Sequence, residues 1–233
     1  MVGLAGEARG LRFDVRTGRR EIQTIVDVPH LRLEPGELLA LAGPSGSGKS
    51  TLLYLLSGLL VPSAGHVAWA GADLAAMGEG ARDRWRRQNA GFVFQNFHLI
   101  DELSPLDNVL TPGWFSSLSV KGLHGRAEAL LDRFGVPRDR KRVSLLSRGE
   151  QQRVAIARAL LFDPEVVFAD EPTASLDGAS CARVVATLRD LAQAERKTVV
   201  VATHDPALLA VASRVVALDH GRVVASKAVE PAE

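Results

Sequence analysis

The segment from Leu38 to Leu60 narrows the possible folds more than any other part of the chain. Leu38-Leu39-Ala40-Leu41-Ala42 is an unalternated apolar run of strand length, the pattern of a strand buried on both faces in a parallel sheet. Gly43-Pro44-Ser45-Gly46-Ser47-Gly48-Lys49-Ser50-Thr51 follows and fits the pattern G-x-x-x-x-G-K-[ST]. Ser50 to Leu60 then reads as a helix, ended by Val61-Pro62-Ser63-Ala64-Gly65. Strand, glycine loop and helix in this order let backbone N–H groups converge on phosphate oxygens at a helix N-terminus. Lys49 supplies a mobile positive charge for β- and γ-phosphates, and the Ser50 hydroxyl can ligate Mg²⁺.

Composition removes several alternatives. Lys plus Arg number 28 against 27 Asp plus Glu, a formal charge of +1, which does not suit a generic polyanion binder, so no nucleic-acid partner is expected. Hydrophobic residues at 46% and charged residues at 24% are those of a globular domain rather than a disordered chain. Cys181 is the only cysteine, so no intrachain disulfide is possible; a buried or half-buried helix position in a reducing compartment is expected. The longest apolar stretch, Leu52 to Val61, contains Ser57 and Gly58 and is about half of the ~20 residues that span a bilayer. The first residues lack the basic start and apolar core of a secretory signal, which makes the cytoplasm the expected location.

Along the chain, Leu11–Val15 and Ile22–Val28 read as β-prone pieces joined by Thr17-Gly18-Arg19-Arg20. A short strand is expected at His66–Trp69, and the arginines at 82, 84, 86 and 87 read as a solvated helix face. Gly91-Phe92-Val93-Phe94 reads as a strand. From Asp101 to about Arg142 the pattern is helical, punctuated by Pro105, Pro112 and Pro137. There follow a helix (Glu150–Phe162), a strand (Val166–Ala169), a helix (Ala179–Glu195), a strand (Thr198–Ala202), a short helix (Pro206–Ala212) and a hairpin around His220-Gly221. The expected fold is α/β: a P-loop nucleotidase core with a mainly parallel sheet and helices on both faces, an N-terminal antiparallel β portion and an inserted helical subdomain. One domain is expected over 1–233, with residues 1–95 and 163–233 as the core and about 96–162 as the helical subdomain.

Val166-Val167-Phe168-Ala169-Asp170-Glu171 is an apolar strand ending in two carboxylates. Adjacent residues at a strand end point in different directions, so Asp170 can face a Mg²⁺ shell while Glu171 faces an attacking water. Taken alone this is equally an ordinary polar strand end; together with the glycine loop it reads as the second half of a nucleotide site.

Leu146-Ser147-Arg148-Gly149-Glu150-Gln151-Gln152-Arg153 resembles the signature segment of ATP-binding cassette (ABC) ATPases. Gln95 is similar to that family's Q-loop residue, Ser175-Leu176-Asp177 to its D-loop, and His204 to its switch histidine. The resemblance implies an ATPase working with ATP and Mg²⁺. It implies a head-to-tail pair, either a homodimer or two paired ABC subunits, with each ATP held between the 43–51 loop of one copy and the signature segment of the other. It also implies Ser147, Gly149 and Glu150 at the nucleotide in trans, Gln95 at nucleotide and metal, Ser50 and Asp170 at the metal, and Glu171, His204 and Lys49 as catalytic residues.

Two positions depart from the family pattern. Arg148 stands where the family usually has glycine; it either adds charge near ATP or points to solvent. Where the family stacks an aromatic on adenine, the chain reads Asp14-Val15-Arg16-Thr17-Gly18, leaving Phe13 or the Arg16 guanidinium as candidates. Gly91 to Ile100, Asp107-Asn108-Val109 and Gly149 to Arg153 are similar to the lipoprotein-release, macrolide-export and cell-division group. That group implies a transmembrane permease partner that docks on the residues after Gln95, and a peripheral position at the inner face of the cell membrane. An importer ATPase, a soluble ABC protein of DNA repair or the ribosome, and a non-hydrolysing nucleotide-binding module are the competing readings. The first two usually carry additional domains, and retention of Glu171 and His204 argues against the third.

Overall fold

The computed structural model describes residues 3–18, 21–115, 120–137 and 139–229. Arg19 and Arg20 of the expected first loop lie outside them. Strands β1 (Gly6–Arg16), β2 (Ile22–Leu33), β4 (Ala64–Trp69) and β5 (Ala72–Asp73) form an antiparallel sheet in the order β2-β1-β4-β5. The second sheet has the order β10-β9-β3-β8-β7-β6, from β3 (Leu38–Ala42), β6 (Ala90–Val93), β7 (Val166–Asp170), β8 (Thr198–Ala202), β9 (Arg214–Asp219) and β10 (Arg222–Ala228). Every pair in it is parallel except the terminal β9–β10 hairpin.

The unalternated apolar runs are explained by two cores, one on each side of this sheet. Leu39, Leu41, Phe168, Val200 and Ala202 face the antiparallel sheet and helix α1 (Lys49–Leu56), whose Leu52, Leu53, Leu55 and Leu56 fill the gap. Leu38, Ala40, Val167, Ala169, Val199 and Val201 face the opposite way, onto α3 (Pro105–Trp114), α4 (His124–Arg133), α5 (Arg148–Ala159), α6 (Gly178–Gln193) and α7 (Pro206–Val211). Neighbouring residues on one strand thus enter different cores, as the period of two requires. Each fully buried Leu or Phe contributes about 1.5–3 kcal/mol. Helices thus lie on both faces as expected, and on one face the antiparallel sheet packs beyond α1. A buried Trp69, edge-on to Phe168 at 5.7 Å between ring centroids, joins the two sheets.

Several element limits differ from expectation for identifiable reasons. Helix α1 stops at Leu56 rather than Leu60 because Gly58 takes a left-handed conformation (φ 69°), where the chain reverses. Pro112 lies inside α3 instead of ending it; the Asn108 carbonyl, which Pro112 has no N–H to serve, accepts from the Thr111 hydroxyl at 2.8 Å. Helix α5 starts at Arg148, two residues early, because Ser147 and Glu150 close a capping box across its first turn. On α2 (Glu79–Asn89), Arg84 and Arg87 are exposed, but Arg86 turns in to donate to the Gly58 carbonyl. Cys181 is half-buried on α6 beside the Asp205 carboxylate; burial, then that neighbour, pushes its thiol up to about 11. Among the described residues no helix is long and apolar enough to cross a membrane.

Candidate nucleotide site

The 43–50 loop leaves the end of β3 and enters α1 with Gly43, Gly46 and Gly48 all at positive φ. Gly43 cannot be replaced: a Cβ there would lie 2.3 Å from the Leu218 carbonyl oxygen. The loop rests on the β9–β10 turn, where the Gly221 N–H donates to the Ser47 carbonyl at 2.9 Å and the Gly221 carbonyl accepts from the Asp27 N–H at 2.8 Å. A turn more than 170 residues downstream therefore fixes the shape of the loop.

Lys49 is 8% exposed, and its ammonium donates to the Gly43 and Pro44 carbonyls at 2.9 and 3.0 Å. No carboxylate pairs with it among the described residues. The Ser47 hydroxyl, also buried, has no hydrogen-bond partner among the described residues. A buried cation held only by neutral carbonyls, next to an unused hydroxyl and the N-terminus of an eight-residue helix, is a setting built for an anion.

At the C-terminal end of β7, Asp170 is 4% exposed and accepts two hydroxyl bonds from α1: Ser50 Oγ to Oδ1 at 2.8 Å and Tyr54 Oη to Oδ2 at 2.7 Å. Burial, followed by the bond to Asp170, raises the Tyr54 phenol pKa and keeps it a donor. Glu171 follows in a left-handed conformation (φ 43°) unusual for a side-chain-bearing residue, its N–H held by the Ala202 carbonyl at 2.8 Å. Its Oε1 lies 2.9 Å from His204 Nδ1; the Glu171 side chain is 13% exposed and that of His204 75%. Gln152 on α5 supports this turn by donating to the Pro172 carbonyl at 2.6 Å.

These groups line one cleft of about 580 Å³ that contains Pro44, Ser45, Gly46, Thr51, Gln95, Glu171 and His204 together with Lys49 and Ser50. Gln95 reaches it from just beyond β6. The apolar contribution is Ile25 of β2 rather than Phe13 or Arg16, neither of which lines the cleft. The residues fit a nucleoside triphosphate. Mg²⁺ is fitted by the Ser50–Asp170 pair completed by phosphate oxygens and water, the usual arrangement for this ion; among the described residues there is no cluster of three acidic, His or Cys groups to form an all-protein cage.

The signature residues lie outside this cleft. Ser147 caps α5; the Glu150 carboxylate accepts from its N–H at 2.7 Å and its hydroxyl at 2.8 Å, which lowers the Glu150 pKa. Glu150 is therefore held on Ser147. Gly149 packs so closely on α6 that a Cβ would lie 2.1 Å from Ser180 Oγ. Asp177, whose carboxylate accepts from the Ser180 N–H and hydroxyl, caps the same helix. Arg148 is exposed, and its guanidinium sits 4.5 Å over the ring of Phe97, two residues after Gln95. Arg158, further along α5, donates to the Phe97 and His98 carbonyls, so one helix grips the Q-loop from both ends. For Arg148→Gly we expect catalytic efficiency in phosphate release equal to or above that of the parent chain, because an exposed cation–π contact contributes only about 0.5–1 kcal/mol. A loss beyond ~10-fold, about 1.4 kcal/mol, would show that Arg148 itself stabilises the closed site.

A glycine loop, a Ser–Asp pair with a buried carboxylate and a Glu–His pair at the carboxyl edge of a parallel sheet define a nucleotide-hydrolysing P-loop cassette. Comparison with known proteins makes the class specific. The profile of the ABC transporter family matches residues 26–174. The lipoprotein-releasing system ATP-binding protein LolD of Chromohalobacter salexigens is 42% identical over 218 residues, 93% of this chain and 92% of that one. The macrolide export ATP-binding/permease protein MacB of Rhodopseudomonas palustris is 42% identical over 221 residues, which are 94% of this chain and 33% of MacB. The dimeric ATP-binding cassette MJ0796, in a post-hydrolysis state bound to ADP and Pi, superposes with a TM-score of 0.89 at 32% identity, covering 97% of this chain and 99% of its own. The chain belongs to the ABC transporter family, and within it is an ATP-hydrolysing cassette subunit.

Proposed function

We propose that the chain binds Mg·ATP with the residues of the 43–51 loop, closes head-to-tail on a second copy or a paired ABC subunit, and drives a membrane protein of the export or lipoprotein-release type. The observation that carries this reading is Lys49, a buried cation without an anionic partner among the described residues, in one cleft with Glu171 and His204. In the closed pair Lys49 turns from the Gly43 and Pro44 carbonyls to the β- and γ-phosphates. Ser50 and Asp170 would hold Mg²⁺, which supplies charge neutralisation at the phosphate oxygens. Glu171 accepts the proton of the attacking water, and His204, within hydrogen-bond reach of Glu171, orients it. Ser147 and Gly149 of the partner copy complete the γ-phosphate site from a helix N-terminus.

The membrane partner docks in a second groove, about 330 Å³, between the β6 end and the helical insert, lined by Phe92, Phe94, His98, Pro112 and Phe162. It borders the Q-loop, so a push there reaches Gln95. The helical subdomain that receives it spans about 96–162 and the ATP-binding core the remainder, and the chain sits peripherally at the inner face of the cell membrane through this partner. Purification from detergent-solubilised membranes is expected to recover the chain with a membrane protein. Recovery of the chain alone would count against the transport reading and favour a soluble ABC ATPase.

A further inference from the structure

Asp170 is a buried carboxylate with no cationic partner among the described residues, satisfied by two hydroxyls from one helix. Ser50 and Tyr54 are four residues apart on α1 and so lie on the same face, one turn apart. The two bonds are not equivalent. Ser50, which lines the nucleotide cleft, serves Oδ1, whereas Tyr54, which does not line it, serves Oδ2. A Ser50 oxygen can ligate a metal through a lone pair and still donate its proton to Oδ1, but the charge of the ion then pulls on the Oδ1 side of the carboxylate alone. The phenol remains in place throughout.

We propose that Tyr54 is a positioning residue for magnesium: by holding Oδ2 it fixes the carboxylate so that Oδ1 stays beside Ser50 when the ion binds. The inference rests on the reading of Asp170 as the magnesium carboxylate. Tyr54 acts through Asp170 and has no contact with nucleotide.

The test is Tyr54→Phe, which keeps the ring and removes the hydroxyl. ADP serves as the nucleotide so that turnover does not intervene, and binding is measured by calorimetry with Mg²⁺ and with EDTA. The expected result is an affinity of the ADP-loaded chain for Mg²⁺ lowered about tenfold, with ADP affinity in EDTA unchanged. Unaltered Mg²⁺ affinity in the variant would overturn the proposal. So would an equal loss in both conditions, because that marks a merely structural role. If the parent chain itself shows no Mg²⁺-dependent gain in ADP binding, it is the assignment of Asp170 that fails. Tyr54 is the only tyrosine in the chain, so a ¹³Cζ-tyrosine label gives a single resonance even if the variant does not fold. That resonance is expected to shift when Mg²⁺ is added to the ADP-loaded parent chain, and its failure to move would likewise contradict the proposal.

Discussion

Replacement of Glu171 by Gln is expected to leave ATP binding intact, to slow hydrolysis on the order of 10²- to 10⁴-fold, and to leave two copies locked around unhydrolysed ATP. The side chain keeps its shape and a hydrogen-bonding group toward His204 Nδ1, now 2.9 Å from Oε1, but loses the ability to accept a proton. Removal of a general base costs roughly 3–5 kcal/mol of barrier, enough for ATP to persist at the interface. The left-handed backbone at Glu171 does not favour one residue over the other, since both carry a Cβ and the Ala202 carbonyl still holds the N–H. Light scattering behind size exclusion should therefore show a dimer with Mg·ATP and a monomer with Mg·ADP. His204→Ala, by contrast, should lose turnover with less trapping. Parent-level hydrolysis in Glu171→Gln would return Glu171 to the status of a strand-end carboxylate.

Lys49→Ala acts one step earlier. The ammonium is buried and bonded only to the Gly43 and Pro44 carbonyls, so its removal from the empty chain breaks no ion pair and the fold should survive. With nucleotide present, the variant lacks charge-assisted bonds to the β- and γ-phosphates. Each such bond contributes about 1.5–3 kcal/mol, so ATP affinity should fall by at least 10- to 100-fold and turnover should be undetectable. Titration calorimetry on a variant whose circular dichroism matches the parent checks this; unchanged affinity would refute the role of Lys49.

Much of this was legible in the sequence because the informative patterns are local. The strand before Gly43, the strand before Asp170 and the buried run at 198–202 are continuous apolar segments, and two cores sharing one sheet account for them. The hydroxyl of Ser147 and the carboxyl of Glu150 sit at capping-box spacing, yet the helix limit was read two residues late because Arg148 and Gly149 have no apolar periodicity. What the sequence did not disclose depends on partners distant along the chain. Tyr54 lies a helical turn after Ser50, a spacing visible by eye, but its partner Asp170 is 116 residues away. Ile25 enters the cleft only because β2 pairs with β1 and passes beside the glycine loop, and an aromatic search overlooks it. The ring that Arg148 covers is not legible either, because it belongs to the segment after Gln95 and not to the same helix.

In the homodimer form of the proposed function a complete hydrolytic site needs two copies, since the signature residues lie outside the cleft formed by the 43–51 loop, Glu171 and His204 of the same chain. The direct measurement is phosphate release from Mg·ATP by the purified chain across a wide range of protein concentration, expressed per molecule. A specific rate that rises with concentration and then levels off is the expected result, because the active species is the pair. A specific rate independent of concentration, with light scattering showing only monomer, would place a complete site within one chain and contradict the claim.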